Sequence, residues 1–379
     1  MNKKIWIAVV VVVGVVAVAL LVTQPWAPSS KTVNFGATFP LTGEVASYGQ
    51  KAKRGIEMAV EDQNAKGGLL GKQIAVDFQD DRNDKKEAVS IMTKFATIDE
   101  VPVVFGSAGS GVSLAILPLA NRYRVILISP ISSSSQLSTE GGDFFFRTCP
   151  ADDLQAEVLS RWVFNSGARR VAVVYTNNSW GKPLAEGFQK KFEALGGQVV
   201  NADGVQENTA DFRTIIARLK GMENLDAVVS PTYPKEGGIL VRQAKELGLS
   251  VPLYGGDNWG SPEFRNVSGD AAEGVFYTAP SESTSPVFNA FAERYKAKYG
   301  EDPDVFGAYS YDAAMAIFRA VEAAGTIEPT RIREALLKVS FQGVSGAVAF
   351  RANGDLQSEA FAKKTIKSGQ AIDIKEGGN

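Results

Sequence analysis

Short apolar runs alternate with amphipathic stretches along most of the chain. The runs are rich in valine, isoleucine and phenylalanine, as buried strands are, and the stretches between them carry apolar residues every three or four positions, as helices do. Short buried strands that alternate with helices predict a parallel sheet with helices on both faces. In the first series the predicted strands are VNFGATF, QIAVDFQ, VPVVFG and VILISP, and the predicted helices are Gly49–Asn64, Asp84–Thr97 and Val112–Tyr123.

The series then restarts, which indicates a second unit of the same class. The 379-residue chain is long enough to bury two cores. We therefore expect an α/β protein with two doubly wound lobes. In the second series the predicted strands are RVAVVY, QVV, DAVVSP and VPLYGG, and the predicted helices are Leu154–Asn165, Lys182–Leu195, Asp211–Gly221 and Glu236–Leu247.

Beyond Thr278 the pattern changes. The segment APSESTSP is typical of a loop. Three helices are then predicted, at Val287–Tyr299, over PDVFGAYSYDAAMAIFRAVEAAG and at Glu328–Val339. The segment GAVAFRANGDLQ predicts two strands around an Asn-Gly-Asp turn. We expect this tail to complete the sheets of both lobes. One lobe would then hold residues 31–149 and 279–358, and the other would hold residues 150–278 and 359–379.

The two series share a repeated pattern, Ser-aromatic-Gly-polar followed after four residues by Gly-apolar-Glu/Gln, at residues 47–57 and 179–189. Each copy follows a strand and opens a helix, and coincidence is the alternative explanation. The second glycine of each copy indicates close packing of the helix on its sheet, because glycine inside a helix otherwise costs about 1 kcal/mol. Ligands of open parallel sheets bind beyond the carboxyl ends of the strands. We therefore expect Tyr48 and Trp180 on opposite walls of a cleft.

The N-terminus carries a targeting signal. Lys3 and Lys4 precede the uncharged run Ile5–Val22. Residues Pro25–Lys31 are typical of a linker. A signal peptide normally has a shorter apolar run and a small-x-small cleavage site, whereas a helix of this length just spans a membrane core. A cleaved signal and an uncleaved membrane anchor therefore both stay open for residues 1–30, and both place the rest of the chain outside the cytoplasm.

Composition excludes several classes of function. The chain has no histidine, which excludes catalytic triads that use imidazole and the common zinc sites built on it. Its net charge is −2 with both signs interspersed, so nothing indicates nucleic acid as a partner. The single cysteine, Cys149, is interpreted as a small buried residue, with a reactive thiol as the alternative. No set of residues predicts a metal, a cofactor or a reaction, so we do not expect an enzyme.

The stretch VPVVFGSAGSGVSLAILPLA, residues 101–120, predicts an anion site. Its glycines follow neither the phosphate-loop pattern nor the dinucleotide-binding pattern. An apolar strand nevertheless ends there in a small loop before a helix, and a helix N-terminus offers unpaired N–H groups and partial positive charge. Ser110 lies at the start of this helix. The run Ser132–Ser135 follows the next strand and is either a solvated loop or part of the same site.

Asp257 lies in YGGDNWG, directly after a strand of the second series. It is interpreted either as a cap or turn residue or as a fixed negative charge that faces the first lobe. Together with the positive helix end at Ser110, such a charge suits a zwitterion, whose carboxylate and ammonium would each form charge-assisted hydrogen bonds. Aromatic residues in the loops are candidates for the apolar walls of a small pocket; they are Tyr48, Trp180, Tyr233, Phe306 and Tyr309.

Pairs of adjacent carboxylates are a further candidate for chemistry. Asp80 with Asp81, and Asp152 with Asp153, lie in polar turns. We interpret both pairs as caps and solvated groups rather than as acid/base dyads. The segment DFQDDRND is similar to a calcium loop but lacks its spacing and its terminal glutamate.

Several longer segments resemble the branched-chain amino acid type of periplasmic binding protein. They are FPLTGEVASYGQKAKRGIEMAVEDQNAKGGLLGKQI, SPISSSSQLS, FFFRT, DFRTIIARLK, GGILVRQAKELGL, GDAAEGVFYTAP and GAVAFRANGDL. The resemblance runs from Lys31 nearly to the end of the chain. It implies a type I binding-protein fold of two Rossmann-like lobes joined by three crossovers. It also implies that the protein captures an amino acid or a similar small molecule between the lobes and delivers it to an ABC permease.

The resemblance also assigns polar contacts to individual residues. The carboxylate-binding serine of the family falls on Ser110. The next contacts, one through the backbone and one through a hydroxyl, fall on Ile131 and Ser133. The acidic residue that holds the ligand's ammonium falls on Asp257, which is shorter than the glutamate of leucine-binding members.

Aromatic contacts of the family fall on Tyr48, Trp180 and Phe306. The tyrosine that helps to bind the ligand in leucine-binding members aligns with Thr232, next to Tyr233. These departures alter the pocket, so a solute without an amine, such as urea, an amide or an aromatic acid, stays an alternative ligand. A membrane-anchored ligand sensor stays an alternative role.

Overall fold

The computed structural model describes residues 32–281, 283–357 and 360–374. Their strands form two large sheets and one separate pair. Each large sheet, with the helices packed on it, is called a lobe below. None of the helices in these ranges is long and apolar enough to cross a membrane. The apolar run Ile5–Val22 and the linker Pro25–Lys31 lie outside the described residues.

The helices and strands follow each other in an order close to that predicted. The first part of the chain holds β1 (Thr32–Phe39), α1 (Ala46–Ala65), β2 (Gln73–Asp80), α2 (Lys85–Thr97), β3 (Val103–Gly106), α3 (Ser110–Tyr123), β4 (Ile126–Ser129), α4 (Ser135–Glu140) and β5 (Phe145–Arg147). The middle part holds α5 (Asp152–Asn165), β6 (Arg170–Thr176), α6 (Gly181–Ala194), β7 (Gln198–Val205), α7 (Arg213–Lys220), β8 (Ala227–Ser230), α8 (Pro234–Glu246), β9 (Leu253–Gly255), α9 (Pro262–Ser268) and β10 (Phe276–Pro280). The tail holds α10 (Pro286–Tyr299), α11 (Val305–Ala324), α12 (Pro329–Leu336), β11 (Ser340–Gln342), β12 (Ala347–Ala349), β13 (Phe361–Lys367) and β14 (Gln370–Asp373).

Both lobes are three-layer sandwiches, as the alternating pattern predicted. The first sheet has the order β2–β1–β3–β4–β5 and is parallel throughout. Helices α1, α11 and α12 share a core with one of its faces, and α2 and α3 share a core with the other. The second sheet has the order β14–β13–β10–β9–β8–β6–β7. Helices α5 and α6 cover one of its faces, and α7 and α8 cover the other.

Carboxylate side chains fix the starts of several helices. Asp84 accepts hydrogen bonds from the N–H groups of Lys86 and Glu87 at the start of α2. Asp304 accepts one from the N–H of Gly307 at the start of α11. These bonds satisfy N–H groups that have no acceptor within the helix. The predicted starts at Asp84 and at Pro303 lie one and two residues before the observed ones.

The tail departs from the prediction that it completes both sheets. Its strands β13 and β14 join only the second sheet, as antiparallel strands beside β10. Strands β11 and β12 pair with each other instead, and the predicted Asn-Gly-Asp turn is closed by a single bridge between Phe350 and Leu356. The prediction was wrong for the first sheet because the tail contributes helices there. Most residues of α11 are buried, and the helix packs on one face of the first sheet instead of extending its edge.

The chain passes between the lobes three times. It leaves the first sheet after β5, returns after β10 to form α11 and α12 against the first sheet, and leaves again to form β13. The predicted type I fold with three crossovers is thereby confirmed. The lobe boundaries proposed at residues 149, 278 and 358 stay a prediction in their details.

The glycines of the repeated pattern are required by close contacts. A side chain on Gly49 would meet the carbonyl oxygen of Pro40 at 2.1 Å, and one on Gly181 would meet that of Thr176 at 2.3 Å. The first glycine of each copy therefore lets the helix begin directly against the end of the preceding strand. The second glycine does not pack on a sheet as predicted, since Gly55 faces the backbone of Gly307 in α11 instead.

Candidate functional site

A small cavity lies between the lobes, at the carboxyl ends of both sets of strands. Its volume is about 50 Å³, and at its edge it meets a larger cavity of about 770 Å³, called the outer cavity below. Most of the predicted site residues line the small cavity, which is called the interlobe cavity below; Thr232 and Tyr309 do not. Its lining comprises Val45, Tyr48, Asn83, Ala108, Gly109, Ser110, Ile131, Ser133, Trp180, Tyr233, Asp257, Asn258 and Phe306.

Thr232 and Tyr309 are predicted residues that do not line the interlobe cavity. Thr232 is buried, and its hydroxyl accepts a hydrogen bond from the indole N–H of Trp259 at 3.2 Å. The neighbouring Tyr233 takes the place at the cavity wall. Tyr309 is buried in α11 and lines the outer cavity. The resemblance therefore assigned the contact to Thr232, whereas the next residue, Tyr233, lines the cavity.

The start of α3 forms the first-lobe side of the interlobe cavity. The helix begins at Ser110, two residues earlier than predicted, and its capping position is Gly109, which offers no side chain. The N–H groups of the first turn have no acceptor within the helix. Gly109 cannot carry a larger side chain, because a Cβ there would lie 2.1 Å from Oδ1 of Asn83. The predicted anion-binding loop therefore presents bare backbone to the space between the lobes.

A buried network of hydroxyl groups holds this loop from beneath. The hydroxyl of Ser107 donates to Asp81 at 2.7 Å, and the hydroxyl of Ser132 donates to the carbonyl of Ser107 at 2.8 Å. Ser132 also lies 2.8 Å from the hydroxyl of Ser113 in α3. The reading of the serine run as a solvated loop is wrong for Ser132, which is structural, whereas Ser133 lines the cavity.

Arg147 holds the serine segment that follows β4. It is fully buried and pairs with Asp355, with 2.7 Å between Nε and Oδ1. It also donates to the carbonyl of Ser134 at 2.9 Å and to the hydroxyl of Ser138. The guanidinium is thus engaged by protein oxygens, which leaves the helix N-terminus as the positive pole of the site.

Two aromatic pairs form the apolar walls. On the first lobe Tyr48 and Phe306 meet edge to face, with ring centroids 5.1 Å apart at an angle of 74°. On the second lobe Trp180 and Tyr233 stack almost parallel, with centroids 5.4 Å apart. The prediction that Tyr48 and Trp180 lie on opposite walls is confirmed.

Asp257 forms a negative pole on the second lobe. It follows β9 and begins a short 3₁₀ turn. Its Oδ1 atom is buried and accepts no hydrogen bond. Burial raises the pKa of the Asp257 carboxyl, while the Gln155 side chain and the N–H of Asn258 oppose that rise. A cation bound next to this buried carboxyl would stabilise its ionised form and lower its pKa.

Asp152 is a second buried acid that the sequence reasoning missed. It was interpreted as a solvated cap, but it is only 1% exposed, and its neighbour Asp153 is the exposed member of the pair. Burial, and then the charge of Asp257, raise the pKa of Asp152 to about 8, against the effect of Ser133, Arg147 and Trp180. Ser133 and Trp180 lie close to the carboxyl, although neither forms a hydrogen bond of normal geometry with it.

The other acidic pair also divides into two roles. Asp80 accepts hydrogen bonds from Leu41, Thr42 and Arg82, as expected of a turn residue, and these bonds lower its pKa against the opposing effect of burial. Asp81 is fully buried, contrary to the prediction of a solvated group. Nothing in the sequence pattern distinguishes the two, since the difference arises from the serine network packed over Asp81.

Direct bonds join the two lobes around the interlobe cavity. The hydroxyl of Tyr48 donates to Oδ1 of Asn258 at 2.8 Å. Lys235 of α8 pairs with Glu44 of the first lobe at 2.9 Å, with both side chains exposed. The lobes therefore meet in a closed arrangement.

Comparison with known proteins places this geometry in a family. The model of the periplasmic binding protein family matches residues 32–369. The chain belongs to that family. The Leu/Ile/Val-binding protein BraC3 of Rhizobium johnstonii is 32% identical over 359 residues, covering 94% of this chain and 96% of the relative.

Solved structures of this family show the same architecture. The leucine-binding protein LivK of Thermotoga maritima has a TM-score of 0.84 and 29% identity, and the match covers 90% of this chain and 98% of that one. LivJ of Streptococcus pneumoniae, solved with isoleucine, has a TM-score of 0.82 and 29% identity, covering 90% of this chain and 99% of that one. The predicted resemblance is confirmed, and members of this family bind solutes outside the cytoplasm.

Proposed function

We propose that this protein captures an amino acid in the interlobe cavity and delivers it to an ABC permease. The observation that carries the proposal is the pair of opposite poles across one small space. The N-terminus of α3 with Ser110 lies on one lobe, and the unpartnered Asp257 lies on the other. A zwitterion bridges these poles, its carboxylate at the helix and its ammonium at the aspartate.

The walls favour a partly apolar side chain on the ligand. The aromatic pairs Tyr48–Phe306 and Trp180–Tyr233 flank the space between the poles. The relatives named for leucine, isoleucine and valine binding support a ligand of this class. Asp257 is shorter than glutamate, so it leaves room for about one more methylene of ligand.

The closed arrangement explains how binding drives closure. A ligand held by one lobe gains its second set of contacts only when the lobes meet, and it favours the closed form by that difference in affinity. The closed form then presents both lobes together to a permease.

The location outside the cytoplasm fits this role. We infer that residues 1–30 direct export, either as a cleaved signal or as an anchor through Ile5–Val22. Mass spectrometry of the N-terminus of the mature protein distinguishes these two fates.

A thermal-shift screen tests the function. The panel is the common L-amino acids with urea, acetamide and benzoate as solutes that lack an α-amine. We expect L-amino acids with apolar side chains to raise the melting temperature and the other solutes to leave it unchanged. In Asp257→Asn the shift is lost, and in Asp270→Asn, a change at an exposed acid of the same lobe, it is kept. A shift by benzoate or urea alone, or an unaltered response of Asp257→Asn, contradicts the proposal.

A further inference from the structure

Two aspartates of the second lobe lie beside the interlobe cavity with oxygen atoms that accept no hydrogen bond. These are both carboxylate oxygens of Asp152 and Oδ1 of Asp257. Nothing within residues 32–281, 283–357 and 360–374 forms an ion pair with either of them. Burying an unpaired carboxylate is unfavourable. Burial therefore favours the protonated form of both carboxyls until a cation is brought to them, and the described residues supply none.

Asp152 lies directly behind two residues of the cavity wall. It begins α5, and its N–H donates to the carbonyl oxygen of Ser133 at 2.9 Å. Trp180 is the second wall residue close to its carboxyl. Asp257 itself lines the cavity, whereas Asp152 lies behind this part of the wall, so a ligand group between Ser133 and Trp180 contacts Asp257 and lies next to the side chains that cover Asp152.

The charged and titratable groups near Asp152 belong to three other parts of the chain. Asp257 follows β9, Arg147 belongs to β5, and Tyr233 precedes α8. Arg147 is already paired with Asp355. Asp257 adds a like charge, and Tyr233 is neutral because burial raises its pKa further. Among the residues that the structure describes, no element therefore brings a free cation to this point.

We propose that Asp152 and Asp257 together bind a primary ammonium group of the ligand, with Asp152 as its second acceptor. This inference rests on the proposed function and narrows its substrate class. A primary ammonium has three N–H donors, enough for both carboxylates and one further acceptor. Each N-methyl group removes one donor and adds bulk. The site is thus specific for solutes with an unsubstituted amine.

Binding at this pair also moves a proton. Burial and the charge of Asp257 raise the pKa of Asp152 to about 8, so its carboxyl is mostly protonated at pH 7 in the empty site. An ammonium beside it stabilises the ionised form, and the proton leaves to solvent. Binding near pH 7 then releases about one proton, and affinity rises with pH, approaching about tenfold per unit, until Asp152 is ionised without ligand.

Isothermal titration calorimetry tests the inference with L-leucine, L-valine and L-alanine as probes. Wild-type protein is titrated at pH 7 in phosphate and in Tris, whose ionisation enthalpies differ. We expect an enthalpy difference that corresponds to about one released proton. In Asp152→Asn the release falls to near zero, the pH dependence between pH 6 and 8 flattens, and affinity falls about tenfold. Asp153→Asn, a change at the exposed neighbour, keeps the wild-type values. N-methyl-L-leucine binds wild type more weakly than L-leucine does.

The outcomes separate this inference from the proposed function. If wild type binds a probe with no proton release and Asp152→Asn binds it equally well, the role of Asp152 is overturned and the binding function stands. If wild type binds none of the three probes, the amino acid function itself fails. Should Asp152→Asn not fold, as judged by circular dichroism, the proton release and pH profile of the wild-type protein decide alone.

Discussion

The hydroxyl of Tyr48 lies 2.8 Å from Oδ1 of Asn258, so a side chain of the first lobe donates a hydrogen bond to the second. This bond needs no ligand. It therefore contributes to the closed form both before and after a solute enters.

Replacing Tyr48 by phenylalanine is expected to shift the empty protein towards the open form. The ring stays, and the lost hydrogen bond is worth about 0.5–1.5 kcal/mol, which corresponds to about a two- to tenfold loss in ligand affinity. Small-angle X-ray scattering of the ligand-free variant should give a larger radius of gyration than wild type. Tyr123→Phe, at an exposed tyrosine of the first lobe, is the control. A radius equal to that of wild type would argue against a role for this bond in closure.

Replacing Ser110 by alanine tests the carboxylate pole. The hydroxyl of Ser110 accepts a hydrogen bond from the N–H of Ser134 at 3.2 Å and faces the interlobe cavity. We expect affinity for L-leucine to fall about tenfold or more, since a hydrogen bond to a charged group is worth about 1.5–3 kcal/mol. Affinity for L-leucinamide, in which a neutral amide replaces the carboxylate, should fall less. Ser135→Ala serves as the control, and equal losses for both ligands would place the carboxylate elsewhere.

Replacing Asp152 by asparagine is expected to make the folded protein more stable than wild type, and this difference should grow as pH rises. Burial raises the pKa of Asp152 to about 8, so folding favours its protonated form. That contribution to stability is complete below about pH 4, where the carboxyl is protonated in the unfolded chain too, and it is lost as pH rises through about 8. Asparagine does not titrate, so the variant keeps this contribution to stability at every pH. The variant should resemble wild type at pH 5 more closely than at pH 8, where it should be more stable by about 1–4 kcal/mol.

Urea unfolding at several pH values measures this difference. Asp153→Asn provides the control, because Asp153 is exposed and paired only with Lys191 at the surface. A stability gain that shrinks with rising pH would show that the carboxyl of Asp152 is ionised in the folded protein.

The buried pair Arg147–Asp355 is expected to behave as a unit. Arg147→Met leaves the carboxylate of Asp355 buried without its partner, which should cost about 3–5 kcal/mol. The double variant Arg147→Met with Asp355→Leu removes both charges and should be more stable than the sum of the single changes implies. Denaturation of the four proteins gives the coupling energy. Additive single effects would show that the two charges do not depend on each other.

Much of the fold follows from local patterns in the sequence. Apart from β5, the strands of both sheets up to β9 were located from short apolar runs, and most of the helices between them carry an apolar face. The short helix α4 and strand β5 were not predicted. Strand β13, with the sequence FAKKTIK, has little apolar character because it lies near the edge of its sheet. Its partner β10 supplies the pairing, and a single-sequence pattern does not contain that information.

The site was predictable where a residue's role is set by its own loop. Ser110 starts a helix, and Asp257 follows a strand, so the position of each beside the cavity is predictable from the sequence. Asp152 also starts a helix, and its neighbour Asp153 looks the same in the sequence. Only the packing of Ser133 and Trp180 against one of them makes it a buried acid. Thr232 and Tyr233 differ likewise by one step along the chain, and only the three-dimensional structure shows which of them faces the cavity.

The position of β13 and β14 affects how the protein is made. Both strands extend the second sheet beyond β10, yet they follow α10, α11 and α12 along the chain. The growing chain therefore exposes β10 as an unfinished edge while α10, α11 and α12 are still being synthesised, and such edges readily pair with other chains. Pairing of β13 with β10 thus protects this lobe from aggregation once the later segment has been made.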